Sequence, residues 1–182
     1  GMIVHMDGAR ISNAAVALDC GFSEITGEAG VDVLSFGGTK NGMMYGEAVV
    51  FFNRDLCRDF KYRRKQGMQL SSKMRFIAAQ FDAFLENDLW KRNALHANRM
   101  ARMLHEAVVG IPGVNISRKV ESNAVFARIP GQVISLLQKD YFFYVWNQET
   151  SEVRWMCSYD TTEDDISGFA GRLGELIQAR PH

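Results

Sequence analysis

Apolar positions along this chain fall into two rhythms, short runs bounded by glycine and longer stretches with helical spacing. Residues 2–6, the set Val31, Val33, Leu34 and Phe36, and the run AVVFF at 48–52 have the length and β-branched content of strands, the last two of them core strands. Between the first two lies an alanine-rich segment, 11–18, that reads as a helix with Gly21 as its stop. Asn53 is placed to cap a helix over 54–66, and Ser71 or Ser72 another from Lys73. Phe76, Ile77, Ala79, Gln80, Phe81 and Phe84 give that second helix an apolar majority and predict its burial. Asn87 and Asp88 then break the run and cap a long helix over 89–109, with Leu95, Met103, Leu104 and Val108 as its core stripe.

Gly110-Ile111-Pro112-Gly113 interrupts the pattern. Beyond it the order is strand 114–117, strand 124–129, helix 131–139, strand 142–146, strand 153–157 and helix 163–179. Asp160, Thr161 or Thr162 caps the closing helix, and Glu163, Asp164 and Asp165 suit the positive end of its dipole. The whole predicts an α/β chain that ends in a small α+β domain.

Composition narrows the function classes. The 182 residues carry no formal net charge, with 47% apolar and 23% charged, so the overall balance favours neither nucleic acid nor an anionic membrane. No apolar run approaches the ~20 residues that span a bilayer, and the N-terminus lacks a signal-peptide pattern. Three widely spaced cysteines, Cys20, Cys57 and Cys157, suggest reduced thiols in a cytoplasmic protein. The basic stretch Lys61, Arg63, Arg64, Lys65 sits at a predicted helix C-terminus, where the dipole favours cations. It reads as a solvated face, with a phosphate or subunit contact as the alternative. A core-type strand directly after Gly1 suggests a missing beginning, Gly1 being either a cloning remnant or the residue after a cut.

The candidate chemistry centres on VDVLSFGGTKNGMMYG, residues 31–46. Gly37 and Gly38 allow a tight turn at a strand end, and Lys40 follows between two core strands. Desolvation there would favour the neutral amine that a Schiff-base lysine needs to attack a carbonyl. An ordinary exposed loop lysine fits the same spacing, whereas GGTKNG lacks the order of a phosphate-binding P-loop. Asp7 lies at the first strand's C-terminal end, the edge where open α/β sheets place ligands. His5 and Asp7 share a strand face, but no neighbouring residues complete a metal set. His96 and His105, nine apart on one helix, point to opposite sides and read as structural or exposed. Arg154, on an otherwise apolar strand, calls for a carboxylate or phosphate partner, or else a rim salt bridge.

The stretches VHMDGARISNAA, VDVLSFGGTKNGMMYGEAVVFF, YRRKQGMQLSSKMRFIAAQF and LWKRNALHANRMA, with Arg154 and Ser158-Tyr159-Asp160-Thr161-Thr162, form one ordered set. Together they resemble the low-specificity L-threonine aldolases, pyridoxal-phosphate-dependent enzymes of the aspartate aminotransferase type (fold type I). The likeness runs over essentially the whole chain. It implies a remnant of the large-domain sheet, residues 1–87, and a small C-terminal α+β domain, residues 88–182.

The resemblance implies that Lys40 carries pyridoxal 5'-phosphate, that Asp7 pairs with its pyridine nitrogen, and that Ser35 or Thr39 donates to its phosphate. Arg10 would reach the phenolate oxygen or the substrate carboxylate, and Arg154 would bind the substrate carboxylate bidentately. The implied reaction cleaves L-threonine or L-allo-threonine to glycine and acetaldehyde, in a homo-oligomer. Members of this family have roughly as much chain again before the position of Gly1, which implies that this chain holds the C-terminal half of the site. Two rival readings follow: a non-catalytic fragment or assembly domain, and a β-eliminating amino-acid lyase.

Overall fold

The computed structural model describes residues 1–179 and divides into two compact units, one ending at Ala94 and the next beginning at Leu95. The first unit is built on a three-stranded sheet, β1 (His5–Gly8), β2 (Val33–Gly37) and β3 (Glu47–Phe51), in the order β1-β2-β3. β1 and β2 are parallel, so helix α1 (Ile11–Leu18) and the turns after it make the crossover, and β3 returns antiparallel. The strand pleat sends Leu34 and Phe36 into one core with Ile11, Met43 and Phe84, against which Phe22, Phe81 and Trp90 pack. Helices α2 (Phe60–Gln66) and α3 (Met74–Leu85) follow, and Asn87 and Asp88, both at positive φ, turn the chain into α4 (Leu89–Val108).

The second unit packs helices on one face of an antiparallel sheet. Its strands are β4 (Asn115–Ile116), β5 (Ala124–Arg128), β6 (Tyr144–Asn147) and β7 (Glu152–Met156), in the order β4-β5-β7-β6. Val125, Ala127, Val153 and Trp155 point to the core, where they meet Met100, Leu104 and Val108 of α4. Val133 and Leu137 of α5 (Gly131–Leu137) and Ile166, Phe169 and Leu173 of α6 (Glu163–Gln178) complete it. The α6 cap is Thr162: its Oγ1 accepts from the Asp165 N–H at 3.1 Å while Asp165 Oδ2 accepts from the Thr162 N–H at 2.8 Å.

Several expectations shift. β1 begins at His5 rather than residue 2, so Asp7 lies inside the strand instead of after it. β3 is a sheet edge with Val49 exposed, not a buried strand, because β2 flanks it on one side only. The helix over 54–66 divides into a 3-10 turn, Arg54–Cys57, capped by Asn53, and α2. α1 stops at Asp19, in the left-handed conformation at φ 51°, before reaching Gly21. On α3 only Phe84 is fully buried and Phe76 is 65% exposed. Leu95 is exposed too, because α4 presents its small residues instead: Ala94, Ala97 and Ala101 join Met100, Leu104 and Val108 as its buried apolar positions.

One buried charge ties the segment after β4 to β7. Glu152 accepts from Ser117 Oγ at 2.6 Å and from Arg118 Nη2 at 3.0 Å. The Ser117 hydroxyl first, then Arg118, hold its carboxyl below the ordinary range against the opposing effect of burial. Because the folded value is depressed, this contribution to stability is complete above the ordinary glutamate range of about 4.3 and is lost as pH falls through the folded value. Comparing melting temperature against pH in the native protein and Glu152→Gln checks this. The variant should lose stability at neutral pH and show a flatter decline on the acid side.

Candidate active site

The parallel register of β1 and β2 sets Asp7 beside Ser35, and the pleat puts both, with His5, on the face opposite the core. Asp7 is exposed, and its Oδ1 accepts from the Ala9 N–H at 3.0 Å, an Asx turn that fixes the carboxylate at the strand's end. No hydrogen bond to its Oδ2 is made among the described residues, leaving that oxygen open to a donor. His5 Nε2 and Ser35 Oγ lie 2.9 Å apart. Arg10, half-buried, holds the N-cap position of α1, and its carbonyl accepts from the N–H groups of Asn13 and Ala14 at 3.1 and 3.3 Å.

Gly37 brings the Asp7 turn and the Lys40 turn together, and Gly38 packs the Lys40 loop on itself. A Cβ on Gly37 would stand 2.6 Å from Ala9 Cα, so the missing side chain is what lets the two strand ends approach. A Cβ on Gly38 would meet the Met43 sulfur at 2.0 Å, so that position is also filled. Thr39–Asn41 form a 3-10 turn ended by Gly42 at φ 110°, and Thr39 Oγ1 bridges the loop, donating to the Gly46 carbonyl at 3.3 Å and accepting from its N–H at 3.4 Å. The Met44 and Tyr45 N–H groups both donate to Gln80 Oε1, at 3.0 and 3.1 Å.

Lys40 itself is exposed and makes no hydrogen bond or ion pair among the described residues. The expected desolvation between two core strands is therefore not supplied by the surrounding residues of this unit. The turn is held by its neighbour instead. Asn41, 2% exposed, donates through Nδ2 to the Trp90 carbonyl at 2.9 Å, and its own carbonyl accepts from Asn93 Nδ2 at 2.8 Å. Asn41→Ala should lower stability by about 1–2 kcal/mol, from the lost buried bond, read as a fall in denaturant midpoint.

Arg154 belongs to the second unit. It lies on β7 between Phe126 of β5 and Tyr144 of β6, half-buried, and its guanidinium stands 4.8 Å from the Trp146 ring centroid and 5.7 Å from that of Tyr144. It forms no salt bridge among the described residues, and its Nε is buried without an acceptor. The rim salt bridge that its sequence context allowed is thus absent from these residues, and the cation rests on aromatic faces.

Neither the His5–Ser35 contact nor the aromatic bed of Arg154 was read from the sequence. The first depends on strand register and the second on a bulge at Trp146, both set by long-range pairing. His96 is structural: its Nε2 lies 2.7 Å from the Thr161 carbonyl. Among the described residues no group of three or more His, Cys, Asp or Glu is placed to hold a metal, and no helix is long and apolar enough to cross a membrane.

The residues of the first unit fit a cofactor that carries an aldehyde and a basic ring nitrogen. An unpartnered amine and an open carboxylate oxygen stand on adjacent strand ends, brought close by a glycine whose Cβ would clash.

Comparison with solved structures defines the class first. The fold is that of the fold type I, pyridoxal-phosphate-dependent enzymes. A threonine aldolase from Leishmania major aligns over 97% of this chain and 52% of its own, with TM-score 0.83 and 25% identity. Catharanthus roseus tryptophan decarboxylase, at 16% identity and TM-score 0.63, shares the fold over 97% of this chain and 42% of its own. The chain belongs to the beta-eliminating lyase family, whose profile matches residues 1–130.

Among curated relatives it is similar to the low specificity L-threonine aldolase of Pseudomonas aeruginosa, 52% identical over 171 residues, 93% of this chain and 49% of the relative. A second such enzyme, from a Pseudomonas species, is 46% identical over 180 residues, 98% of this chain and 52% of the relative. The chain spans about half the length of these relatives.

Proposed function

We propose that this chain contributes the lysine-bearing part of a pyridoxal-phosphate site in a threonine aldolase, which cleaves L-threonine or L-allo-threonine to glycine and acetaldehyde. The carrying observation is the close approach of the Asp7 and Lys40 turns at Gly37, together with the 52% identity to an aldolase. Bound pyridoxal phosphate supplies an electron sink for the pair left on Cα when the Cα–Cβ bond breaks.

The chain's own residues hold that group and orient the substrate. Lys40 offers the primary amine that carries the cofactor. Asp7, fixed by the Ala9 N–H, would hold the pyridine nitrogen through its other oxygen. Ser35, beside Asp7 in β2, or Thr39, in the turn after β2, would donate to the phosphate. Arg10 reaches the phenolate oxygen or the substrate carboxylate. Arg154 would take the α-carboxylate through two parallel N–H bonds and so orient the amino acid. The β-hydroxyl proton is lost as the aldehyde forms, and Cα takes up a proton to give glycine.

In this reading residues 1–87 are the tail of the cofactor-binding domain and residues 88–182 the small domain. A cytoplasmic setting is supported by three free cysteines, and a homo-oligomer by exposed apolar residues on the first unit such as Met68 and Phe76. The family's name supports a second reading, β-elimination from an amino acid. Incubating the purified protein with pyridoxal phosphate and L-threonine separates them. Equimolar glycine and acetaldehyde support the aldolase; ammonia with 2-oxobutanoate supports elimination; neither product refutes catalysis by this chain.

A further inference from the structure

On the open face of the second unit's sheet, Trp146 stands out of register. β6 and β7 pair Tyr144 with Arg154 and Val145 with Val153, but then Asn147 with Glu152, so Trp146 is the extra residue of a β-bulge. Two residues from Tyr144, the partner of Arg154, Trp146 falls by alternation on the same face as both, and the bulge sets its place along that face. The indole there lies under Arg154, whose guanidinium stands 4.8 Å from the ring centroid.

The indole is braced from its other sides. Phe126 meets it edge-on, with centroids 5.4 Å apart and planes at 82°. Arg118 stands 5.8 Å from the Trp146 centroid and 4.3 Å from that of Phe126. Arg118 is itself held by the buried Glu152 at 3.0 Å, so its charge is answered while that of Arg154 is not. Trp146 remains 48% exposed, more than a residue kept for core packing would be.

An arginine free in solvent loses rotamer entropy when it grips a carboxylate, and an aromatic bed that already holds the guanidinium removes much of that loss. We propose that Trp146 is a positioning residue. Set by the bulge and braced by Phe126 and Arg118, its ring holds the Arg154 guanidinium in the pose that receives a carboxylate ligand. This rests on the reading of Arg154 as the carboxylate-binding group; Trp146 acts through Arg154.

The test compares Trp146→Leu, Trp146→Phe and Arg154→Lys with the native protein. Two readouts are taken: the rate at which phenylglyoxal modifies Arg154, by peptide mass mapping, and KM and kcat for L-threonine. Trp146→Leu should raise the modification rate at Arg154 about threefold to tenfold and raise KM by a similar factor with kcat little changed. Trp146→Phe, which keeps a π-face, should restore most of both. Unchanged modification at Arg154 in Trp146→Leu overturns the proposal, whatever KM does, and decides the matter even without turnover. The underlying reading fails separately: if Arg154→Lys leaves KM unaltered, Arg154 does not bind the carboxylate. If Arg154→Lys raises KM while Trp146→Leu matches the native protein in both readouts, that reading stands and the positioning role falls.

Discussion

On the proposed aldolase reading, replacing Lys40 by alanine is expected to lower threonine cleavage by a factor on the order of 10³ or more while leaving the fold intact. The two halves of that expectation have different origins. The chemical loss follows because no other primary amine lies in the turn between Gly37 and Gly46. The structural indifference follows because Lys40 is exposed and makes no bond among the described residues, so the stability change should stay within about ±0.5 kcal/mol. Lys40→Arg keeps the charge but not a condensable amine and should be as inactive. Measuring kcat beside melting temperature for both variants checks the pair. An arginine variant retaining native activity would assign Lys40 an electrostatic role only.

Gly37→Ala should do the reverse and damage structure first. Its new Cβ would stand 2.6 Å from Ala9 Cα and 2.9 Å from the Ala9 carbonyl, both backbone atoms that cannot swing aside. Relief requires the β1–α1 turn to move away from the end of β2, at a cost of about 1–3 kcal/mol. A shift of that size separates Asp7 from the Lys40 turn, so pyridoxal phosphate affinity should fall with stability. Denaturant midpoints and cofactor titration of the same variant report both. An unchanged midpoint would show that the turn yields cheaply and that Gly37 does not set the approach.

Much of the architecture was legible in the sequence because local signals agreed. The cap at Thr162, the break at Asn87 and Asp88 and the apolar runs of β2, β5 and β7 each pointed to the element that forms. Burial was less legible, because an apolar helix such as α3 gives the same pattern whether or not its faces are covered: Phe76 is exposed and Phe84 buried at helical spacing. The exposure of Lys40 was missed for a related reason. Two flanking apolar strands suggested enclosure, but β3 is an edge, and strand order is set by pairing that no short window reveals. The residue types of the candidate site were readable from motif and family likeness. The bed of Arg154 was not, since it arises from a one-residue slip between β6 and β7.

Whether Lys40 carries the cofactor is read by covalent trapping. The purified protein is incubated with pyridoxal phosphate, reduced with borohydride, digested and mapped by mass. A pyridoxyl adduct on Lys40 well above that on exposed Lys61 and Lys65 is expected. Labelling of Lys40 no greater than theirs would contradict it.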